Sequence, residues 1–188
     1  GAIADAHQED NSWKHELSFA GGISGAGRNN PEELVTGKCT SQCYSGGARQ
    51  AVYVQWKDEP TFLIHDHSEP DEETFGHSRF CLTPSGDGFG VRHLKAVIIA
   101  ACVPVIIQDD VTPTFASLLD WDEFSIQLGL DAVPNIKSIL NKATPERHAQ
   151  LRANMLKYQS ALSYEEAGYG GKAHDYLVAS LETLADEL

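Results

Sequence analysis

The chain has no apolar run approaching the roughly 20 residues needed to span a bilayer, and its longest, Ala96 to Ile107, is broken by Pro104. That run reads as a buried helix followed by a buried strand. Basic residues are scarce: 14 Lys and Arg stand against 27 Asp and Glu, a net charge of −13. Binding a polyanion needs Lys and Arg to displace its counterions, so this balance argues against nucleic acid as a partner. A small anion remains possible where a few arginines converge. The four cysteines, at 39, 43, 81 and 102, contain no CxxC pair and lack the paired spacing of a zinc site. Cys81 and Cys102 lie in apolar runs and read as buried thiols. Cys39 and Cys43 share a Gly/Ser-rich loop and can pair in an oxidising lumen. A GxSxG elbow is missing and no cysteine has the setting of an exposed thiolate, which argues against a hydrolase. There is no initiator Met and no signal-like segment, because Gly1 to Trp13 is polar; the expectation is a fragment or processed piece of something longer.

What is present fits one globular domain: 41% hydrophobic and 22% charged over 188 residues. "LSFAG", Leu17 to Gly21, reads as a buried strand, and the stretch from there through Gly47 as irregular. "ARQAVYVQW" reads as a helix, although its β-branched content also fits a strand. "TFLIH" is a second strand, "DHSEPDEETFGHS" a solvated loop with one helical turn, "RFCLTP" a third strand, "GVRHLKAVIIAA" a helix and "VPVIIQ" a fourth strand. "PTFASLL" reads as a short helix opened by Pro113, "FSIQL" as a fifth strand, and "VPNIKSILNKA" as a helix with Pro near its start. A helix capped by Thr144 follows, with Leu151, Met155, Tyr158 and Leu162 on one face. Leu177, Leu181, Leu184 and Leu188 give the last helix its apolar stripe. Both final helices read as packing elements. Strand and helix alternate at βαβ spacing and the strands are apolar on both faces, so the class is α/β with a parallel sheet covered by helices.

In such a sheet ligands bind beyond the carboxyl ends of the strands. The stretch "PSGDGFGVRHLKA" lies there, with Gly86, Gly88 and Gly90 letting backbone approach an anion and the following helix supplying free N–H groups. Arg92, in that helix, can add a bidentate contact to a phosphate oxygen. Arg49 opens another helix, after "CYSGG", and Arg28 sits in the loop after the first strand. Three arginines at three βα junctions of an acidic chain suggest an anionic ligand, the alternative for the glycine stretch being a tight βα turn whose arginine is solvated. His65, Asp66 and His67, with Glu69 and Asp71 nearby, raise a metal site, but no fourth ligand is evident and a polar loop is the better reading. His77 and His93 are single histidines, either of which could act as a base. Asp109 and Asp110 end the fourth strand and either accept ribose or sugar hydroxyls or cap the "TPTF" turn.

"SRFCLTPSGDGFGVRHLKAVIIAACVPVIIQDDVTPTFASLLDWDEFSIQL" resembles the C-terminal half of the exostosin-like glycosyltransferases, family 47. The matching residues are Phe80, Cys81, Leu82, Pro84, Gly86, Arg92, Ala96, Cys102, Pro104, Val105, Ile106, Asp109, Pro113, Phe115, Asp120 and Trp121. "SFAGG" and "YSGGARQAVY" extend the likeness, which covers roughly Leu17 to Ala161. The resemblance implies a Rossmann-like α/β domain, the C-terminal half of a GT-B fold, over residues 17–188 with C-terminal helices from 143. Residues 1–16 would then be disordered or a remnant of the partner domain. The implied activity is inverting transfer of a hexose or pentose from a nucleotide sugar to a polysaccharide or glycan acceptor. No cofactor or metal is implied. Arg49, Arg92 and Arg28, with Ser85, Gly86, Asp87, Gly88 and Gly90, would hold the donor diphosphate; Lys95, Pro84, Asp109 and Asp110 would meet the nucleoside and sugar. The catalytic base would lie in an absent N-terminal half, leaving this chain inactive alone, and the family implies a type II Golgi membrane protein. Two departures stand out: Lys95 where the family places a Glu, and Gly90 where it commonly has a Ser. They motivate an alternative, a degenerate, non-catalytic module acting in binding or scaffolding.

Overall fold

The computed structural model describes residues 13–23, 44–66, 72–86, 91–108, 112–164 and 171–186, and at 44, 72, 73 and 91–93 the backbone alone. Five parallel strands form its centre: β1 (His15–Gly21), β2 (Phe62–Asp66), β3 (Ser78–Pro84), β4 (Val103–Ile107) and β5 (Ile126–Leu128). Their spatial order is β2-β1-β3-β4-β5. Parallel neighbours need crossovers, and these carry α1 (Ala48–Trp56), the short α2 (Glu72–Gly76) and α3 (Val91–Ile99). Three further helices follow the sheet: α4 (Ile136–Asn141), α5 (Pro145–Tyr158) and α6 (Ala173–Asp186). This is a Rossmann-like α/β architecture.

Strand alternation sorts the side chains into two layers. Leu17, Phe19, Phe80, Leu82, Val103, Val105 and Ile107 face one way, onto Val52 of α1 and Ile136 and Leu140 of α4. Ala20, Cys81 and Ile106 face the other, onto Phe75 of α2 and Leu94, Val97 and Ile98 of α3. Every strand residue from Phe80 to Pro84 is buried, which is why β3 reads as a continuous apolar run rather than an alternating one. Pro104 sits in an inner strand without penalty. Its missing N–H would point toward β5, as the Gln108 N–H does, but pairing with β5 begins only at Val105.

Three details depart from the sequence reading. Cys81 and Cys102 form a disulfide rather than two free thiols, with Cα atoms 5.9 Å apart. In the β3–β4 register Phe80 meets Val103, so Cys81 and Cys102 lie diagonally on the same face. Helix α3 ends so as to deliver Cys102 there. Ala101 takes a left-handed φ of 54°, its N–H donates to Ile98 O, and the Cys102 N–H donates to Val97 O, a Schellman closure with alanine where glycine is favoured. Second, "PTFASLL" forms turns rather than a helix: Phe115 has φ 55°, outside the helical region, and the Trp121 indole N–H holds the Thr114 carbonyl at 2.9 Å. Third, α5 buries Leu151 and Met155, but α6 leaves Leu177, Val178, Leu181 and Leu184 between 40% and 58% exposed. Its Tyr176 packs on Phe115 while its leucine stripe faces outward.

Thr144 caps α5 as its sequence implies, its Oγ1 accepting from the Arg147 N–H at 3.2 Å with Pro145 at the first position. His148, on the next turn, is 4% exposed and stands edge-on to Phe80 and Trp13. Its Nε2–H donates to the Arg79 carbonyl at 2.8 Å. Burial, with the Arg79 and Arg152 charges nearby, lowers its pKa from the usual 6.5 to about 4.

Candidate functional site

The strand order reverses between β1 and β3: the chain steps from β1 outward to β2, then returns to the opposite side of β1. Ligands in open parallel sheets bind outside the carboxyl ends of the strands at such a switch point. Here the edge is closed by a connected polar network. Arg49, 3% exposed, donates from Nη1 to Gly22 O at 2.8 Å, just after β1, and from Nε to Ser85 O at 3.0 Å, just after β3. Its guanidinium lies 5.4 Å from the Phe19 ring centroid. Ser85 in turn donates to Ser45 O at 3.1 Å, and Ser45 Oγ accepts from the Arg49 N–H and donates to Gln50 Oε1. Gln50 Nε2 reaches Ile23 O at 2.9 Å, and Asp66, ending β2, accepts from the Ile23 N–H at 2.9 Å. The first residues of α1 thereby tie the loops after β1 and β3 to the turn before the helix, and Ile23 carries the network on to the end of β2.

The local backbone explains how α1 presents these groups. Ser45, Gly46 and Gly47 take φ of 57°, 60° and 86°, a left-handed turn leading into α1. Two glycines make it accessible, and Ser45 bears the strain of a non-glycine at positive φ. That turn aims the Ser45 hydroxyl back at the Arg49 N–H and sets Arg49 and Gln50, both buried, over the loop after β1.

Of the residues singled out in the sequence, the structure brings Arg49 and Ser85 into direct contact, with Pro84 the last residue of β3 and Gly86 half-buried beyond it. Lys95 stands elsewhere, exposed on the rim of an apolar pocket of about 240 Å³ that Ile98, Phe115, Gln159, Leu162 and Tyr164 also line. Arg28, Asp87, Gly88, Gly90, Asp109, Asp110, Cys39, Cys43, His67, Glu69 and Asp71 lie outside the described residues, as do the side chains of Arg92 and His93. Asp66 works as a hydrogen-bond acceptor within the network, and among the described residues no group of three or more His, Cys, Asp or Glu is placed to hold a metal. His77 immediately precedes β3, at the amino edge of the sheet and opposite the switch point. Sequence reasoning missed Ser45, Gln50 and Gln108. For Ser45 the signal was the serine ahead of a glycine pair at a helix start; Gln108 follows the last residue of β4, the position the carboxyl-edge rule favours. Its buried Oε1 meets no donor among the described residues.

A five-stranded parallel sheet whose switch point is bridged by a buried arginine is a Rossmann-like α/β domain. The chain belongs to the exostosin GT47 family, the Exostosin GT47 domain matching residues 6–143. It is 33% identical over 138 residues to a protein of Oryza sativa subsp. japonica named "Probable glucuronosyltransferase", covering 71% of this chain and 33% of that one. A protein of Arabidopsis thaliana named "Probable beta-1,4-xylosyltransferase" is likewise 33% identical over 138 residues, with the same two shares. The chain thus spans about a third of the length of the curated relatives it matches. The family match ends before α5, so α5 and α6 lie beyond it.

Proposed function

We propose that this chain is the donor-binding half of an inverting glycosyltransferase that moves a sugar from a nucleotide sugar to a glycan or polysaccharide hydroxyl. The observation that carries the reading is Arg49, a buried guanidinium at the switch point, hydrogen-bonded to the loops after β1 and β3. When the glycosidic bond to the diphosphate breaks, negative charge develops on the departing phosphate oxygen. Arg49 contributes positive potential at that edge, and Arg92, in the first turn of α3, supplies a second cation. The Pro84–Gly90 stretch is the phosphate-facing loop, with Ser85 fixed by its bonds to Arg49 and Ser45. The base that deprotonates the acceptor belongs to a second α/β half, and the exposed leucine stripe of α6 supports the existence of such a neighbour. The buried Cys81–Cys102 bridge supports maturation in an oxidising lumen, consistent with a Golgi lumenal domain. Among the described residues no helix is long and apolar enough to cross a membrane.

Calorimetric titration of UDP and other nucleoside diphosphates into the chain tests the reading. Arg92→Ala should weaken binding at least tenfold without changing the unfolding midpoint. Arg49→Lys should lose affinity too, because an ammonium cannot serve both carbonyls with the planar fork of arginine. A folded chain that gives no heat with any nucleoside diphosphate would remove the donor site.

Lys95 favours a second reading, a non-catalytic module. It stands exposed where the resemblance places a carboxylate for the ribose hydroxyls, and lysine cannot accept their hydrogen bonds. Turnover by the longer protein would exclude it.

A further inference from the structure

A hydrogen-bond acceptor is unused at the carboxyl edge of β4. Gln108 follows directly on the strand, and its backbone N–H is committed to Leu128 O at 3.3 Å. Its side-chain Oε1 is buried and meets no donor among the described residues. Native folds rarely keep such an atom, because a buried amide oxygen has lost its water and gained nothing in return.

The position of this atom is informative. Strand alternation puts Gln108 on the same sheet face as Ile106, and Ile106 packs with Leu94 and Ile98 of α3. Helix α3 connects two parallel strands, so its amino end returns to the carboxyl edge of the sheet. Gln108 is therefore on the face covered by α3 and at the edge where α3 begins. Across the ladder, Ile107 pairs with Pro84, so Gln108 is level with Ser85. The hydroxyls nearby on this edge are already committed: Thr83 Oγ1 donates to Val105 O at 3.3 Å and Ser85 Oγ to Ser45 O at 3.1 Å, while Pro84 has no N–H.

We infer that Gln108 Oε1 is a specificity contact that accepts a hydrogen bond from a hydroxyl of the nucleotide-sugar donor. This rests on the donor-site reading and adds a residue to it. The hydroxyl belongs either to the ribose or to the transferred sugar, and because Gln108 as a whole is only part-buried, a turn of its side chain about its own bonds brings the acceptor out to meet it.

Gln108→Met keeps the length of the side chain and removes the acceptor. Three probes are titrated into wild type and variant: inorganic pyrophosphate, UDP, and UDP-xylose or UDP-glucuronic acid. Pyrophosphate has no donor hydroxyl of this kind and should bind both proteins equally. If the ribose is the partner, UDP and the nucleotide sugar both lose about tenfold in the variant; if the sugar is, only the nucleotide sugar does. Without ligand, the variant should melt about 2–4 °C higher than wild type, because an unsatisfied acceptor has gone. A variant that binds all probes like wild type overturns the Gln108 assignment and leaves the donor site standing. A variant that melts lower shows that Oε1 has a partner within the protein and overturns it without any ligand. A wild type that binds none of the probes removes the donor site and this contact together.

Discussion

Replacing both Cys81 and Cys102 by alanine removes the bridge between β3 and the start of β4, and the structure sets the size of the effect. The two cysteines are 21 residues apart. Closing a loop of that length in the unfolded chain costs an entropy worth about 3.4 kcal/mol at 25 °C in the chain-entropy treatment, and the double variant regains it on unfolding. The sulfurs are fully buried beneath α3, packed with Phe75, Val97 and Ala100, so their loss adds a packing cost of about 1 kcal/mol. Urea unfolding followed by far-ultraviolet circular dichroism measures the sum. With a slope of about 2–3 kcal/mol per M, the midpoint should fall by roughly 1.5–2 M. Wild type unfolded under a strong reductant should lose most of the same amount. Coincident midpoints with and without the cysteines would refute the reasoning, either because the bridge does not form or because the unfolded chain already holds β3, α3 and β4 together. Peptide mapping without reduction separates the two, since only the second predicts a linked Cys81–Cys102 peptide.

His148 is neutral in the fold, with a pKa near 4, and ordinary once unfolded, so the unfolded chain binds more protons between pH 6.5 and 4. Stability should hold above pH 6.5 and fall by about 3 kcal/mol as pH drops to 4, in pH-resolved urea melts, and His148→Gln should flatten that limb. Gly46→Ala meets no atom within 4 Å of the added carbon, yet φ there is +60°, so a loss of about 1 kcal/mol should appear from backbone strain alone. Thr144→Ala removes the cap of α5 and should cost about 1 kcal/mol in the same assay. Leu181→Gln, on the exposed face of α6, should leave the melting temperature within about 1 °C and reduce the chain's tendency to self-associate in light scattering.

Much of the fold was legible because its strands are buried on both sides: "SRFCLTP" and "VPVII" announce themselves as continuous apolar runs, and Thr144-Pro145-Glu146 announces the start of α5. Phe115 was not legible, because a positive φ at an aromatic residue carries no local signature and is imposed by Trp121 and Tyr176 across the fold. The cysteine pair was missed for a related reason. Its partners sit diagonally across a ladder whose register is a three-dimensional fact. At the site, Arg49 could be placed at a βα junction from its glycines, but its reach to Gly22 and Ser85 depends on β1 and β3 being neighbours. Strand order is not written in periodicity.

The two carbonyls that Arg49 holds are 27 and 36 residues away in the chain, in opposite directions. Nothing local can assemble that cross-link. It forms only after β1 and β3 have found each other and α1 has docked, so this edge of the sheet is among the last features to be completed during folding. Partly folded forms with α1, α3 or α5 already helical would lack it altogether. A nucleotide that binds this edge would therefore report on completed folding more strictly than helical content does.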